Sequence, residues 1–164
     1  MVDTSIIING QVIKQVEAGS LENMEIIIPM AVLDELQSQA AQKKEQGFVG
    51  LEEIKKLQEI SSKHGLTIKF EGNRPSADDV SLSGRGRIDA IIQDVAKQNN
   101  AILHTSDYTQ SLVAQAIGID VCYQKPEHVK EELEFLRFFD SETMSVHLKE
   151  GIPPFAKKRK TWFV

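Results

Sequence analysis

The sequence predicts an α/β fold. Three layers, α/β/α, surround a central, mostly parallel twisted sheet, and a C-terminal helix with a short strand and tail lies beyond it. Three observations carry this expectation. Short β-branched apolar runs alternate with segments of helical spacing, as in a parallel sheet covered by helices. The runs are apolar nearly throughout, as strands buried on both faces are. The chain has 164 residues, enough for one domain with a sizeable core and a short appendage.

Each element has its own signal. The apolar run SIIING comes first, anchoring the edge of the sheet, and the helical pattern QVIKQVEAG follows. MEIIIP reads as a buried strand stopped by Pro29. MAVLDELQSQAAQKKEQ reads as a helix, with Pro29 near its first turn and Gly47 near its end. In VGLEEIKKLQEISSKHG, Leu51, Ile54, Leu57 and Ile60 recur at helical spacing and Gly65 closes the helix. LTIKF is a strand, and EGNRPSADDVSLSGRGR, rich in Gly, Pro, Ser and Asp, is a loop. IDAIIQDVAKQNN, AILHT, YTQSLVAQAIG and IDVCY then read as helix, strand, helix and strand. PEHVKEELEFLRFF is an amphipathic helix with Val129, Leu133, Leu136 and Phe139 on one side. A strand around 144–148 and a Pro-rich, basic tail complete the chain. The expected division is 1–124 for the α/β domain and 125–164 for the appendage.

Composition narrows the function. The formal net charge is −5, so nucleic-acid binding would rest on a local basic patch rather than on overall charge. One cysteine, Cys122, leaves no internal disulfide or cysteine metal cluster, and it is expected in the core. The four histidines lack zinc-ligand spacing. There is no signal-peptide pattern and no membrane-spanning apolar stretch. A soluble, cytoplasmic protein with no membrane partner is expected.

The acids carry the chemistry. Asp3 precedes the first apolar run, Glu35 lies in the helix after MEIIIP, Asp89 opens the helix before AILHT, and Asp107 follows that strand. Functional groups in parallel α/β sheets collect beyond the carboxyl ends of the strands. Two like charges about 4 Å apart repel by roughly 4 kcal/mol at an effective dielectric near 20. Converging carboxylates therefore raise a pKa or hold a cation, and hard oxygen ligands suit Mg²⁺ or Mn²⁺. Each acid also has a plainer reading. Asp3 suits a solvated terminus, Glu35 a solvated helix face, and Asp89 and Asp107 helix caps.

The segments VDTSIIINGQV, IIIPMAVLDELQSQA and RIDAIIQDVAKQNNAILHTSDYTQSLVAQAIGIDV resemble the PIN-domain nucleases. The shared features are an Asp-Thr-Ser at the first strand, a Glu-Leu after the second, an Asp opening a helix, and a Thr-x-Asp. The match runs in order over about residues 2–121. FFDSETMSVHLKEGIPPFAKKRK resembles the segment after the PIN domain in archaeal PIN-domain ATPases, which continue into a P-loop ATPase and a KH module. The resemblance implies a PIN-like, Rossmann-like sheet and metal-dependent hydrolysis of phosphodiesters, with RNA ahead of DNA as substrate. Asp3, Glu35, Asp89 and Asp107 match the acidic quartet that is both catalytic and metal-binding, with Mg²⁺ or Mn²⁺ as cofactor. Ser5, Thr105 and Ser106 match the supporting hydroxyls. Two departures stand out: only Met1 and Val2 precede Asp3, and Asn9 replaces a frequent Asp. No G-x-x-x-x-G-K-[ST] occurs, so fused ATPase and KH domains are expected outside this stretch, and a homo-oligomer is expected.

Arg85 and Arg87 in the glycine-containing loop, and Lys157, Lys158, Arg159 and Lys160 in the tail, are candidates for substrate phosphate. Trp162 and Phe163 follow the tail's basic run. The competing reading is a catalytically idle PIN module that serves oligomerisation or nucleic-acid binding. A haloacid-dehalogenase-type phosphatase fits poorly, because Asp3 is followed by Thr4 and Ser5 rather than x-Asp. A receiver domain also fits poorly, because Lys125 does not match its lysine.

Overall fold

Isoleucine and leucine from every part of the first unit meet in one core: Ile6, Ile28, Leu36, Leu57, Ile92 and Leu103 are all buried to within 2% exposure. The structure, a computed structural model, describes residues 1–21, 23–76, 79, 86–126 and 134–159. Two compact units result, Met1–Glu127 and His128–Val164.

In the first unit the order is α1 (Thr4–Ile8), α2 (Gln11–Glu17), β1 (Glu25–Pro29), α3 (Met30–Ala41), α4 (Glu45–Ser61), β2 (Thr67–Glu71), α5 (Arg87–Gln98), β3 (Leu103–Thr105), α6 (Tyr108–Ala116) and β4 (Val121–Tyr123). The expected α/β class holds. β1 pairs in parallel with β2, and β3 with β4. Residues 1–3 join the two pairs: Val2 N–H donates to Ile27 O at 3.0 Å, His104 N–H to Met1 O at 2.8 Å, and Asp3 N–H to His104 O at 3.2 Å. Val2 thus lies between the two parallel pairs, bridged in parallel to His104 of β3 and hydrogen-bonded to Ile27 of β1. The strand ahead of Asp3 is as short as the sequence suggested, yet it sits between β1 and β3.

The run SIIING is not a sheet anchor. It is α1, because Asp3 accepts the Ile6 N–H as N-cap and so releases the chain from the ladder. Ile6 and Ile7 then fill the core from a helix, and packing overrides their β preference. Gly47 is not a helix end. The break falls at residues 42–44, where Lys43 takes a φ of 59°, and Gly47 lies buried inside α4. A Cβ there would stand 2.3 Å from the Ala40 nitrogen, and one at Gly50 would stand 2.4 Å from Leu36 Cδ2. Both glycines let α4 press onto α3.

The second unit is a hairpin, β5 (Thr143–Lys149) with β6 (Ile152–Lys158), antiparallel and preceded by a 3₁₀ turn at Glu134–Phe138. The expected amphipathic helix is 3₁₀ in its described part, and Val129 and Leu133 lie outside the described residues. The expected strand at 144–148 is present within β5. The Pro-rich, basic segment is its partner strand rather than an irregular tail. Pro153 and Pro154 fall at the register shift between His147–Phe155 and Lys149–Ile152, an irregularity of the kind that tolerates proline in a strand.

Candidate active site

Three proposed acids leave the carboxyl ends of strands. Asp3 ends the central segment, Glu35 lies in α3 directly after β1, and Asp107 follows β3 by two residues. Asp89 comes from the first turn of α5. Asp3 is 2% exposed, so it is not a solvated terminal residue. Its carboxylate accepts from Ile6 N–H at 2.9 Å, from Ser5 Oγ at 2.9 and 3.0 Å, and from Thr105 Oγ1 at 2.5 Å. Burial, and then the charge of Asp89, push its pKa up to about 6, and these donors only partly offset that.

Asp89 is the electrostatic centre of the group. Its pKa is raised by burial and then by the charges of Glu35 and Asp107, and it is the charge that acts on Asp3. One carboxylate therefore feels or perturbs the other three. No described ion pair involves any of the four.

Neutral side chains hold the acids apart. Thr4 Oγ1 donates to Glu35 Oε2 at 2.5 Å. Asp107 caps α6 and accepts from Gln110 N–H at 3.0 Å. Gln110, 4% exposed, reaches Thr105 with its Oε1 at 3.0 Å and Asp89 with its Nε2 at 3.4 Å. Thr105 Oγ1 also accepts from Asp107 N–H at 2.9 Å. Its single proton has two acceptors in reach, Asp3 and Gln110. Protonation of Asp3 resolves this: Asp3 then donates to Thr105, which donates to Gln110. Ser106 N–H donates to Ser5 Oγ at 2.8 Å, and Ser106 Oγ bonds Gln11, whose amide holds the Lys125 carbonyl at 3.1 Å.

All three expected hydroxyl residues thus join the Asp3 network, two directly and Ser106 through Ser5. Thr4, Gln11 and Gln110 were not anticipated. Gln110 had a signal, because Asp107-x-x-Gln110 has the spacing of a capping box; Thr4 and Gln11 had none. Arg87 pairs with Asp79 at 2.6 Å, and Arg74 with Asp34, the neighbour of Glu35, at 2.8 Å. Lys157, Lys158 and Arg159 belong to the second unit, where Lys158 pairs with Asp140. Arg85, Lys160, Trp162 and Phe163 lie outside the described residues. His104 is half-buried and bridges strands through its backbone; its pKa is pushed down by burial and by the Met1 ammonium. Cys122 is half-buried rather than in the core.

The donor set suits a hard divalent cation: carboxylate oxygens and hydroxyls, negative charge with no ion pair among the described residues, and a buried Gln39 Oε1 with no donor among them, on the side chain whose amide contacts Glu35. As the side chains stand, no three His, Cys, Asp or Glu among the described residues converge on one point. Asp3 is turned onto Ser5 and Thr105, Glu35 onto Thr4, and Asp107 onto the α6 backbone. No described helix is long and apolar enough to cross a membrane.

Comparison with known proteins gives consistent results. A family model described as PIN domain matches residues 1–124. The chain is 44% identical over 159 residues to an uncharacterised KH and PIN-domain containing protein of Methanocaldococcus jannaschii, covering 97% of this chain and 25% of that protein. It is 33% identical over 135 residues to the Holliday junction branch migration ATPase PINA of Sulfolobus acidocaldarius, covering 82% of this chain and 24% of that protein. The chain therefore spans about a quarter of the length of these curated relatives. A solved structure, a domain of a functionally unknown protein from Methanocaldococcus jannaschii, superposes with a TM-score of 0.72 at 41% identity, covering 76% of this chain and 89% of that one.

Proposed function

The chain belongs to the PIN-domain family, and from that premise we propose that it is a metal-dependent endonuclease domain, with RNA as its first substrate class. The observation that carries the reading is the crowding of carboxylates around Asp89, whose pKa is raised by burial and then by the charges of Glu35 and Asp107, and whose own charge adds to the burial that raises Asp3. Residues with no cation among their described partners maintain that repulsion at the carboxyl ends of the strands. Asp3, Glu35, Asp89 and Asp107 would hold Mg²⁺ or Mn²⁺. Such an ion supplies Lewis-acid stabilisation of phosphoryl charge and acidifies water.

The chain's own groups set the geometry. Ser5 and Thr105 fix the rotamer of Asp3, Thr4 aims Glu35, and the α6 cap positions Asp107. Gln110 links the Asp3 network to Asp89, so a change of protonation at Asp3 reaches Asp89 through two side chains, Thr105 and Gln110. Neither Ser5 nor Ser106, the serines of the acidic network, has a His or Lys among its described hydrogen-bond partners, which supports direct hydrolysis.

We further propose that residues 1–124 are the nuclease portion of a longer protein, with 125–164 leading toward ATPase and KH domains like those named for its relatives, and that the assembly is a homo-oligomer. A second reading is an idle module serving assembly or nucleic-acid binding. It is favoured by the cap roles that Asp3 and Asp107 already fill. Incubation of labelled single-stranded RNA with Mn²⁺ or Mg²⁺ separates the two. Cleavage that chelation and Asp107→Asn both abolish supports the nuclease. Absence of cleavage across RNA and DNA of varied structure supports the module.

A further inference from the structure

Two exposed aromatic rings neighbour residues of the acidic group, one along the chain and one across the sheet register. Tyr108 directly follows Asp107 and is 60% exposed; Tyr123 is 39% exposed. Their centroids are 5.6 Å apart in an edge-to-face pair. Tyr123 ends β4 opposite Thr105 in the parallel register, and Thr105 is the residue that bonds Asp3. Each ring is therefore one register step from a group that organises the acids, at the same end of the sheet.

A solitary exposed tyrosine needs no explanation. A pair in edge-to-face contact at the strand ends that carry the candidate phosphodiester site does. Two residues beyond Tyr123, Lys125 is exposed, and its carbonyl is pinned by the buried Gln11 side chain. A held backbone thus carries a cationic residue two positions beyond Tyr123. A stacking surface with an adjacent ammonium is the chemistry that grips unpaired nucleotides: the ring takes the base and the cation takes the phosphate.

We propose that Tyr108 and Tyr123 form a base-stacking platform which, with Lys125, selects single-stranded nucleic acid over duplex for the adjacent acidic site. The proposal rests on the nuclease reading for its substrate, and it adds the residues of this chain that would read the strandedness of that substrate. A paired base has both faces covered by its neighbours in the stack and offers no face to these rings.

The test compares binding of a labelled single-stranded oligoribonucleotide and its duplex, by fluorescence anisotropy with Ca²⁺ present, for wild type, Tyr108→Leu, Tyr108→Phe, Tyr123→Leu and Tyr123→Phe. The leucine variants are expected to weaken single-strand binding about ten-fold each and to leave duplex binding unchanged, and the phenylalanine variants to restore wild-type binding. Leucine variants that bind single strands like wild type overturn the proposal, as does equal loss on both probes or wild type binding neither probe. A change of oligomeric state in place of a binding change also overturns it, assigning the rings and the exposed Leu112 and Val113 of α6 to contact with a second copy. Cleavage with Mn²⁺ is read separately. Ring-dependent binding without cleavage contradicts the nuclease and leaves the platform standing. Cleavage by leucine variants with unchanged strand preference contradicts the platform alone.

Discussion

Asp3→Asn should stabilise the metal-free protein at neutral pH. Burial and the charge of Asp89 raise the Asp3 pKa from 3.8 to about 6. At about 1.4 kcal/mol per pKa unit, holding that carboxylate ionised costs roughly 3 kcal/mol of folding stability. Between about pH 4 and pH 6 the folded chain binds a proton that the unfolded chain has released. This group's contribution therefore makes stability fall as pH rises through that window, and the loss is complete above it. Asparagine keeps the size of the side chain and an oxygen for the Ile6 N–H, and it cannot ionise. Urea denaturation in the presence of a chelator should find wild type and Asp3→Asn equal near pH 4. At pH 7.5 the variant should be ahead by about 2–3 kcal/mol. Added Mn²⁺ should reverse the order by stabilising wild type alone. A variant less stable than wild type at pH 7.5 without metal would show that the site does not strain Asp3, and the argument for a cation would lose its energetic basis.

Other perturbations probe other parts of the account. Gly47→Ala should lose about 1–3 kcal/mol or more by overpacking, since its Cβ meets the Ala40 and Leu36 backbone. Gly50→Ala should do less damage, because it meets only the Leu36 side chain, and Leu36→Ala should relieve it in a double-mutant cycle of chemical denaturation. Thr105→Val deletes a buried hydroxyl shared by Asp3, Gln110 and the Asp107 amide. About 1–3 kcal/mol of stability should go with it, and cleavage should fall further than global unfolding explains at the assay temperature. Glu35→Gln should keep the fold, since Thr4 can still donate to the amide oxygen, and should abolish metal-dependent cleavage; unchanged turnover would remove Glu35 from the site.

The parallel architecture was legible because apolar runs alternate with helical patterns, although only β1 and β3 are largely buried and β2 exposes Thr67 and Lys69, and the acids stood out because they fall at element boundaries. What escaped was set by tertiary contact. SIIING has the residues of a strand, yet Asp3 caps it into a helix once Val2 has taken its place between β1 and β3. Gly47 looks like a stop signal in one dimension and is a packing residue in three. Gln11 and Thr4 carry no charge and break no periodicity, so nothing local marks them as anchors of the site. Gln110 was readable in principle from its spacing to Asp107. The hairpin hid behind Pro153 and Pro154, which argue against a strand unless they fall at an irregularity in its register.

The central claim is that four carboxylates with no cationic partner among the described residues make one divalent-metal site. A calorimetric Mn²⁺ titration of wild type beside Asp89→Asn tests it most directly, because Asp89 couples the other three electrostatically and caps no helix. The account predicts one or two bound ions for wild type, with proton release near pH 6 as Asp3 ionises, and binding weakened at least ten-fold in the variant. Wild type that takes up no Mn²⁺, or an Asp89→Asn protein that binds it equally well, would contradict the account.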